Sequence, residues 1–378
     1  MQIGIDAWNI RVGGGVTHLA EMLASATPEQ VGINKVIVWG GASTLQKIEP
    51  RPWLHCVSNP LLDGNLVSRL YWQKTQIDRL AADANCSLIF VPGGSSVARF
   101  RPIVTMSQNM LLFESKESER YGYSLNRLKF WQLRRTQLSL FKKANGLIFI
   151  SRYAKDTITP LIDNFTGATA VIPHGISDRF LREPIPQKPI DKYSYESPFR
   201  LVYVSMIEPY KHQWNVIEAV SILRDFGYPV CLQIVGQMGS AKAKFENSMR
   251  RFDPDGAWLT YTGFVPFEEL HLVYHQADAF IYASSCENLP NILIEAMSSG
   301  LPIACSNKGP MPEVLGAAGL YFDPEKPVEI AEAVKQLLLD ENLRHMKASA
   351  AYEQAQRYSW KACAKETFSF LAKVAQQA

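Results

Sequence analysis

The sequence predicts an α/β protein built from two parallel, doubly wound sheets, and three observations predict it. Short apolar runs alternate with helical patterns along most of the chain; the alternation stops between 176 and 200 and then restarts; and 378 residues exceed what one ordinary core accommodates. An apolar share of 47% with 20% charged residues belongs to a globular protein rather than a disordered or fibrous one.

The opening run 2–6, QIGID, reads as a buried strand. A loop then reaches Gly13, Gly14 and Gly15, and a helix is expected from about 16 to 24. Glycines ahead of a helix let a ligand approach the backbone N–H groups. They lack the G-x-G-x-x-G order, so a nicotinamide cofactor is poorly supported, and a ligand loop and a flexible surface turn both stay open. Strand runs follow at 35–39, 87–91, 103–107, 147–151 and 170–172, with helices at 67–82, 126–144 and 152–162. Such sheets bind ligands beyond the carboxyl ends of their strands, which points to Gly93, Gly94, Gln108, Asn109 and His174. A histidine in that place is more often a hydrogen-bonded loop residue than a catalyst.

The stretch 116–143 holds eight Lys or Arg against two acids, interleaved with Tyr121, Tyr123, Phe130, Trp131 and Phe141. Two readings stand: docking on an anionic membrane surface, and a solvated helix that turns Leu and Phe inward. Proline and charge crowd 176–200, which reads as a linker closing the first domain. The second series has strands at 201–205, 231–235, 258–262, 279–283 and 302–305, and helices at 212–226, 241–252, 266–275 and 290–299. Helical sequence dominates from 327, broken near Tyr358-Ser359. Asp253-Pro254-Asp255-Gly256 contains a D-x-D, but Pro-Asp-Gly between a helix and a strand is better explained as a turn than as a metal site.

The stretch 286–305, CENLPNILIEAMSSGLPIAC, concentrates the chemistry. Pro290 is expected as the first residue of a helix that Gly300 stops. Glu295 interrupts an otherwise apolar helix, and a buried carboxylate needs a partner. It stands one turn past Asn291, near a helix end whose free N–H groups suit phosphate, and Glu287 lies in the loop before it. Acid, anion receptor, acid suits a sugar nucleotide, with hydroxyls at both ends and a diphosphate between. The other reading is an acid on the helix dipole plus a core Glu salt-bridged to a distant Arg. Lys211, between a strand and a helix, is either a point charge for the diphosphate or a solvated surface lysine.

Net charge +3 and a pI near 8.4 are too mild for nucleic acid. Six cysteines without metal or redox spacing fit reduced thiols in a cytosol. No apolar run approaches a membrane span and the chain opens on a strand rather than a signal peptide, so a cytoplasmic location is expected.

Glu287 and Glu295 form an E-x7-E, followed by AMSSGLPIACS and PEVLGAAGLYFDP. With PYKHQWNVIEA upstream and VIPHGI closing the first domain, the chain resembles glycosyltransferase family 4, specifically in the second domain and more thinly in the first. The resemblance implies a GT-B fold: two Rossmann-like domains facing across a cleft, 1–180 for the acceptor and 181–359 for the donor, with a last helix in 360–378 crossing back. It implies a retaining, metal-independent glycosyltransferase with no cofactor. The donor would be a UDP- or GDP-sugar of hexose type, the acceptor a hydroxyl of a glycan or lipid-linked molecule, and the setting cell-surface polysaccharide assembly, with a peripheral position on the inner membrane face as one option. By position, Glu287 would contact the sugar near the reacting centre, Lys211 the diphosphate and Glu295 the ribose. The backbone of Asn288, Leu289, Pro290 and Asn291 would support the phosphates, and Gly263, Phe264 and Val265 would lie by the nucleobase. Gly13, Gly14 and Gly15, with Gln108, Asn109 and His174, would form the phosphate and acceptor side. Met206 stands where many members carry an Arg, and Ser107-Gln108-Asn109 where many carry a His. The alternatives are a catalytically weak nucleotide-sugar binding protein, and an epimerase or phosphorylase on the same scaffold.

Overall fold

The computed structural model describes residues 1–11 and 13–377. The chain opens with β1 (Gln2–Asp6), α1 (Gly14–Ala24), β2 (Lys35–Gly40), α2 (Ala42–Leu45), β3 (Leu54–Ser58), α3 (Pro60–Asp63), α4 (Leu66–Asp83), β4 (Leu88–Val91) and β5 (Ile103–Ser107). It continues through α5 (Ser115–Glu119), α6 (Leu125–Lys143), β6 (Gly146–Phe149), α7 (Arg152–Ile158) and β7 (Ala168–Val171). These seven strands form one sheet in the order β3-β2-β1-β4-β5-β6-β7, and every pair is parallel. The central strands read as unbroken apolar runs because helices cover both their faces. The winding direction reverses between β1 and β4, so their loops part there and leave a crevice at the strand ends.

The second half repeats the plan with β8 (Phe199–Val204), α8 (Gln213–Asp225), β9 (Val230–Val235), α9 (Lys242–Phe252), β10 (Leu259–Gly263), α10 (Leu270–His275), β11 (Ala279–Tyr282), α11 (Asn291–Ser298), β12 (Ile303–Ser306), α12 (Met311–Leu315) and β13 (Leu320–Phe322). Its sheet order is β10-β9-β8-β11-β12-β13, again parallel, with the reversal between β8 and β11. Three helices close the chain: α13 (Pro327–Leu339), α14 (Glu341–Ala355) and α15 (Trp360–Gln377).

The chain folds as two units. The first takes residues 1–113, 123–175 and the last stretch from Tyr358; the second takes 114–122 and 176–357. In the first, α15 packs on α1 and buries Cys363, Phe368 and Leu371, with the Trp53 ring edge-on to Phe368. The segment 114–122, which lies in sequence between β5 and α6, clusters with the second unit.

Two strands escape the sequence reading for a shared reason. β3 lies at a sheet edge with mostly exposed side chains, and β13 is an edge strand of three residues, so neither presents an apolar run of useful length. The helix expected from 16 starts at Gly14, which places Gly14 and Gly15 inside α1. The helix expected from 266 starts at Leu270, because Pro266 to Glu269 form a separate turn. All six cysteines are free thiols.

Candidate functional site

Parallel neighbours β8 and β11 deliver their outgoing loops to one place. Lys211 ends a short 3-10 turn, Pro209–Lys211, and His212 (φ 51) turns the chain into α8. Lys211 is only 5% exposed, which removes the reading of a solvated surface lysine. Its ammonium pairs with Glu287 and donates to the Tyr282 hydroxyl at 3.1 Å. Tyr282 donates to Glu287 at 2.6 Å, and Ser284 Oγ donates to it at 2.7 Å. All three donors converge on Oε1, and none of the three reaches Oε2. The ammonium also lies 5.2 Å from the ring centres of Tyr210 and Tyr282, whose faces favour a cation. A charge pair this sheltered is stable only while both members are present.

A second network grips the same loop from outside. Ser285 Oγ donates to Glu117 at 2.6 Å, and His212 Nε2 lies 3.0 Å from Ser285 Oγ. One serine proton cannot serve both, so the network assigns the proton to His212 Nε2 and leaves Nδ1 to accept from Asn215 at 3.4 Å. Burial pulls His212 down to about 4, so the ring is neutral at pH 7. Arg120 Nε donates to Glu117 at 2.8 Å and Nη2 donates to Glu325 at 2.6 Å; Tyr121 donates to Glu208 at 3.0 Å. Segment 114–122 is thus a strap fastened by Glu117 to the loop that carries Glu287, by Tyr121 to the loop that carries Lys211, and by Arg120 to Glu325 beyond β13.

Glu295 takes a different environment. It is 5% exposed on α11 and accepts from the Tyr274 hydroxyl at 2.9 Å. No cation pairs with it among the described residues, so the salt bridge to a distant Arg is not formed. Burial pushes its carboxyl up to about 7. Pro290 caps α11 rather than opening it, and its carbonyl accepts from Leu293 and Ile294 N–H, while Asn291 N–H bonds Leu289. The helix end therefore offers fewer free N–H groups than the sequence predicts, because this tight turn consumes them. Asn288 and Leu289 are buried beside it.

Gly236 follows β9 directly, and a Cβ there would come 1.9 Å from the Ser205 carbonyl, so only glycine fits (φ 144). Its N–H bonds the Gly263 carbonyl at 2.8 Å. Beyond Gly263, Phe264 is 67% exposed and Val265 half-buried, which leaves an aromatic face in solvent at a strand end. Met206 is likewise exposed.

The first unit gathers other chemistry. Gly13 (φ 68) caps α1, and a Cβ at Gly13 or Gly14 would meet nothing within 4 Å, whereas one at Gly15 would stand 3.5 Å from Gln108 Oε1. The structure thus brings Gly15 to Gln108, while Asn109 spends its carboxamide oxygen on Leu111 N–H at 3.0 Å. His174 is buried and stacks on His18 of α1 at 4.5 Å, with Trp360 beyond it at 5.8 Å. Both His18 nitrogens are buried and have no hydrogen-bond partner among the described residues, and burial holds its basicity well below the usual value.

Sequence reasoning missed His18, Tyr274, Tyr282, Ser284 and the whole strap. Tyr282 and Ser284 had a usable signal, a hydroxyl-rich end to an apolar strand; the strap had none. The turn at 253–256 forms as expected: Asp253 accepts from Ala257, Trp258 and Leu259 N–H at 2.8, 3.0 and 2.7 Å. Among the described residues no cluster of His, Cys, Asp or Glu is arranged to hold a metal ion, and no helix is long and apolar enough to cross a membrane. The stretch 116–143 is two helices in different units, not one.

Comparison with known proteins bears on the second unit first. Residues 186–354 match the family described as glycosyl transferases group 1. O-antigen chain mannosyltransferase B of Escherichia coli is 32% identical over 197 residues, 51% of this chain and 51% of that protein. The GDP-mannose-dependent alpha-(1-6)-phosphatidylinositol monomannoside mannosyltransferase of Mycobacterium tuberculosis is 22% identical over 382 residues, 96% of this chain and 95% of that one. Against several curated relatives the chain spans about half their length or less. Among solved structures, sucrose-phosphate synthase from Thermosynechococcus elongatus superposes with a TM-score of 0.77 at 18% identity over 100% of both chains. HepE of Anabaena, in complex with UDP, gives 0.72 at 18% identity over 98% of this chain and 99% of that one. Likeness at that identity establishes the fold, which is GT-B.

Proposed function

We propose, from the premise that residues 186–354 are a glycosyl transferase group 1 domain, that this chain moves a hexose-type sugar from a nucleoside-diphosphate sugar to a hydroxyl of a glycan or lipid-linked acceptor, with retention and without a metal. The observation that carries the reading is the Lys211–Glu287 pair at the β8/β11 reversal, where sheets of this class bind ligands. A diphosphate arriving there exchanges one anionic partner of Lys211 for another, and frees the carboxylate to orient the sugar. Charge stabilisation on the departing diphosphate and positioning of the acceptor hydroxyl are the main demands of the reaction. Glu295, its carboxyl pushed up to about 7 by burial, is partly protonated at neutral pH and can donate to as well as accept from a ribose hydroxyl. Asn288, Leu289, Pro290 and Asn291 shape the phosphate side, Gly263, Phe264 and Val265 the nucleobase side. We assign Gly13, Gly14, Gly15, Gln108, Asn109 and His174 to the acceptor.

Cell-surface polysaccharide assembly is supported by the O-antigen relative, and a UDP or GDP nucleotide by the UDP complex of HepE and the GDP-mannose dependence of the mycobacterial relative. We also propose peripheral membrane contact through α6, whose nineteen residues include no acid. A second reading, a nucleotide-sugar binder with weak catalysis, is favoured by one observation: at Met206 no cation joins Lys211. A thermal-shift panel of UDP, GDP and ADP with their common sugars identifies the donor. Turnover with that donor is expected to fall at least about 100-fold in Glu287→Ala while the fold persists. Near-normal turnover overturns the assignment, and tight donor binding without transfer to any acceptor moves the reading to the binder.

A further inference from the structure

One row of α6 changes chemistry along its length. Leu125, Leu128, Trp131, Arg135, Ser139 and Lys143 follow at spacings of three or four, which aligns them on one face. The first three are apolar and 85%, 54% and 53% exposed. The last three wall a pocket of about 640 Å³ together with the 96–101 loop, within the first unit. Among the described residues four cations line that pocket, Arg99, Arg101, Arg135 and Lys143, and no carboxylate does. Arg101 is held to its loop by donating to the Phe100 carbonyl at 2.7 Å. The Arg135 guanidinium stacks over the Trp131 ring at 4.7 Å, joining the cationic end of the row to the apolar end.

Four like charges around one hollow repel one another, and an anion relieves that repulsion. An exposed tryptophan and leucines beside cations are what an amphiphile with an anionic head meets best. We propose that this pocket receives the phosphate of an anionic membrane phospholipid while Leu125, Leu128 and Trp131 enter the acyl boundary next to it. The proposal rests on the membrane contact put forward above and gives it an address. It is independent of the donor chemistry at Glu287, so flotation can succeed where transfer fails, and the reverse.

The test is flotation of the full chain with vesicles of phosphatidylglycerol in phosphatidylcholine, against phosphatidylcholine alone. Binding is expected only to the anionic vesicles. Arg135→Gln with Lys143→Gln is expected to lower the partition coefficient roughly 25-fold, at about fivefold per cation removed. Lys129→Gln with Lys142→Gln makes the same charge change on the same helix outside the pocket and is expected to cost clearly less. Equal losses in the two pairs would show diffuse attraction and overturn the pocket. So would competition by inorganic phosphate at matched ionic strength, which would assign the pocket to a soluble phosphate. Failure of the unaltered chain to float with either vesicle would remove the membrane contact together with its address.

Discussion

At the reversal of the second sheet a lysine, a tyrosine and a serine converge on one oxygen of Glu287, whereas around the first sheet's strand ends stand glycines, amides and two stacked histidines. The sheets share a winding plan, so backbone topology is not what separates them. The second unit concentrates charge: its cation is sheltered and already paired, and tyrosine and serine hydroxyls hold the paired carboxylate. The first unit leaves open space over Gly13 and Gly14 and stacks His174 on a His18 that burial makes less basic. Topology sets where each crevice lies, and side chains set what each will hold.

The largest expected effect breaks the comparison on the charged side. Lys211→Met leaves Glu287 sheltered without its cation, and urea unfolding should show a loss of about 3–5 kcal/mol. Lys211→Met with Glu287→Gln should be less destabilised than Lys211→Met alone, and strict additivity would show the two groups are not coupled.

The next contrast sets one buried acid in each unit against the other. Glu295 and Asp6 are both pushed up to about 7 by burial. For Glu295 the folded state keeps its proton to about pH 7 while the unfolded chain releases it near 4.5, so stability falls as pH rises between those values. Glu295→Gln should therefore be more stable than the parent at pH 8, by up to about 3 kcal/mol, with the gain vanishing near pH 4.5. Asp6 instead accepts from Gln73 at 2.5 Å and from Trp8 N–H at 3.3 Å, on different oxygens. Asp6→Asn must turn an amide N–H toward one of those donors, and its melting temperature should drop at pH 8 where that of Glu295→Gln rises.

A smaller effect probes the histidine stack. His18 is less basic folded than unfolded, so stability is full above its ordinary value and falls as pH drops below it. His18→Leu should flatten the acid limb of a pH–stability curve; an unchanged limb would place the sensitivity elsewhere. Smallest is Phe264→Ala: at an exposed position stability should hold within about 0.5 kcal/mol, while nucleotide affinity by calorimetry falls about fivefold if the ring stacks on the base. Equal affinity would leave Phe264 without a part in donor binding.

Much of this was legible in one dimension. Buried parallel strands such as Leu88–Val91 and Phe199–Val204 announce themselves because covered strands must be apolar throughout. Glu295 stands out because a carboxylate within ILIEAM has no cheap place in a core. Edge strand β3 was silent because its side chains are mostly exposed, and β13 because three residues are too few to show a pattern.

Sequence alone determined the repeated alternation of strands and helices, the loops that carry Lys211 and Glu287, and the turn at Asp253, because periodicity and turn chemistry act within a few residues. Tertiary structure alone decided that Lys211 and Glu287 are paired, that Tyr274 answers Glu295, that His18 lies on His174, and that 114–122 straps the second unit. Those contacts join residues up to 205 positions apart, as Arg120 to Glu325 does, and no local rule encodes a meeting that only the packed sheets bring about.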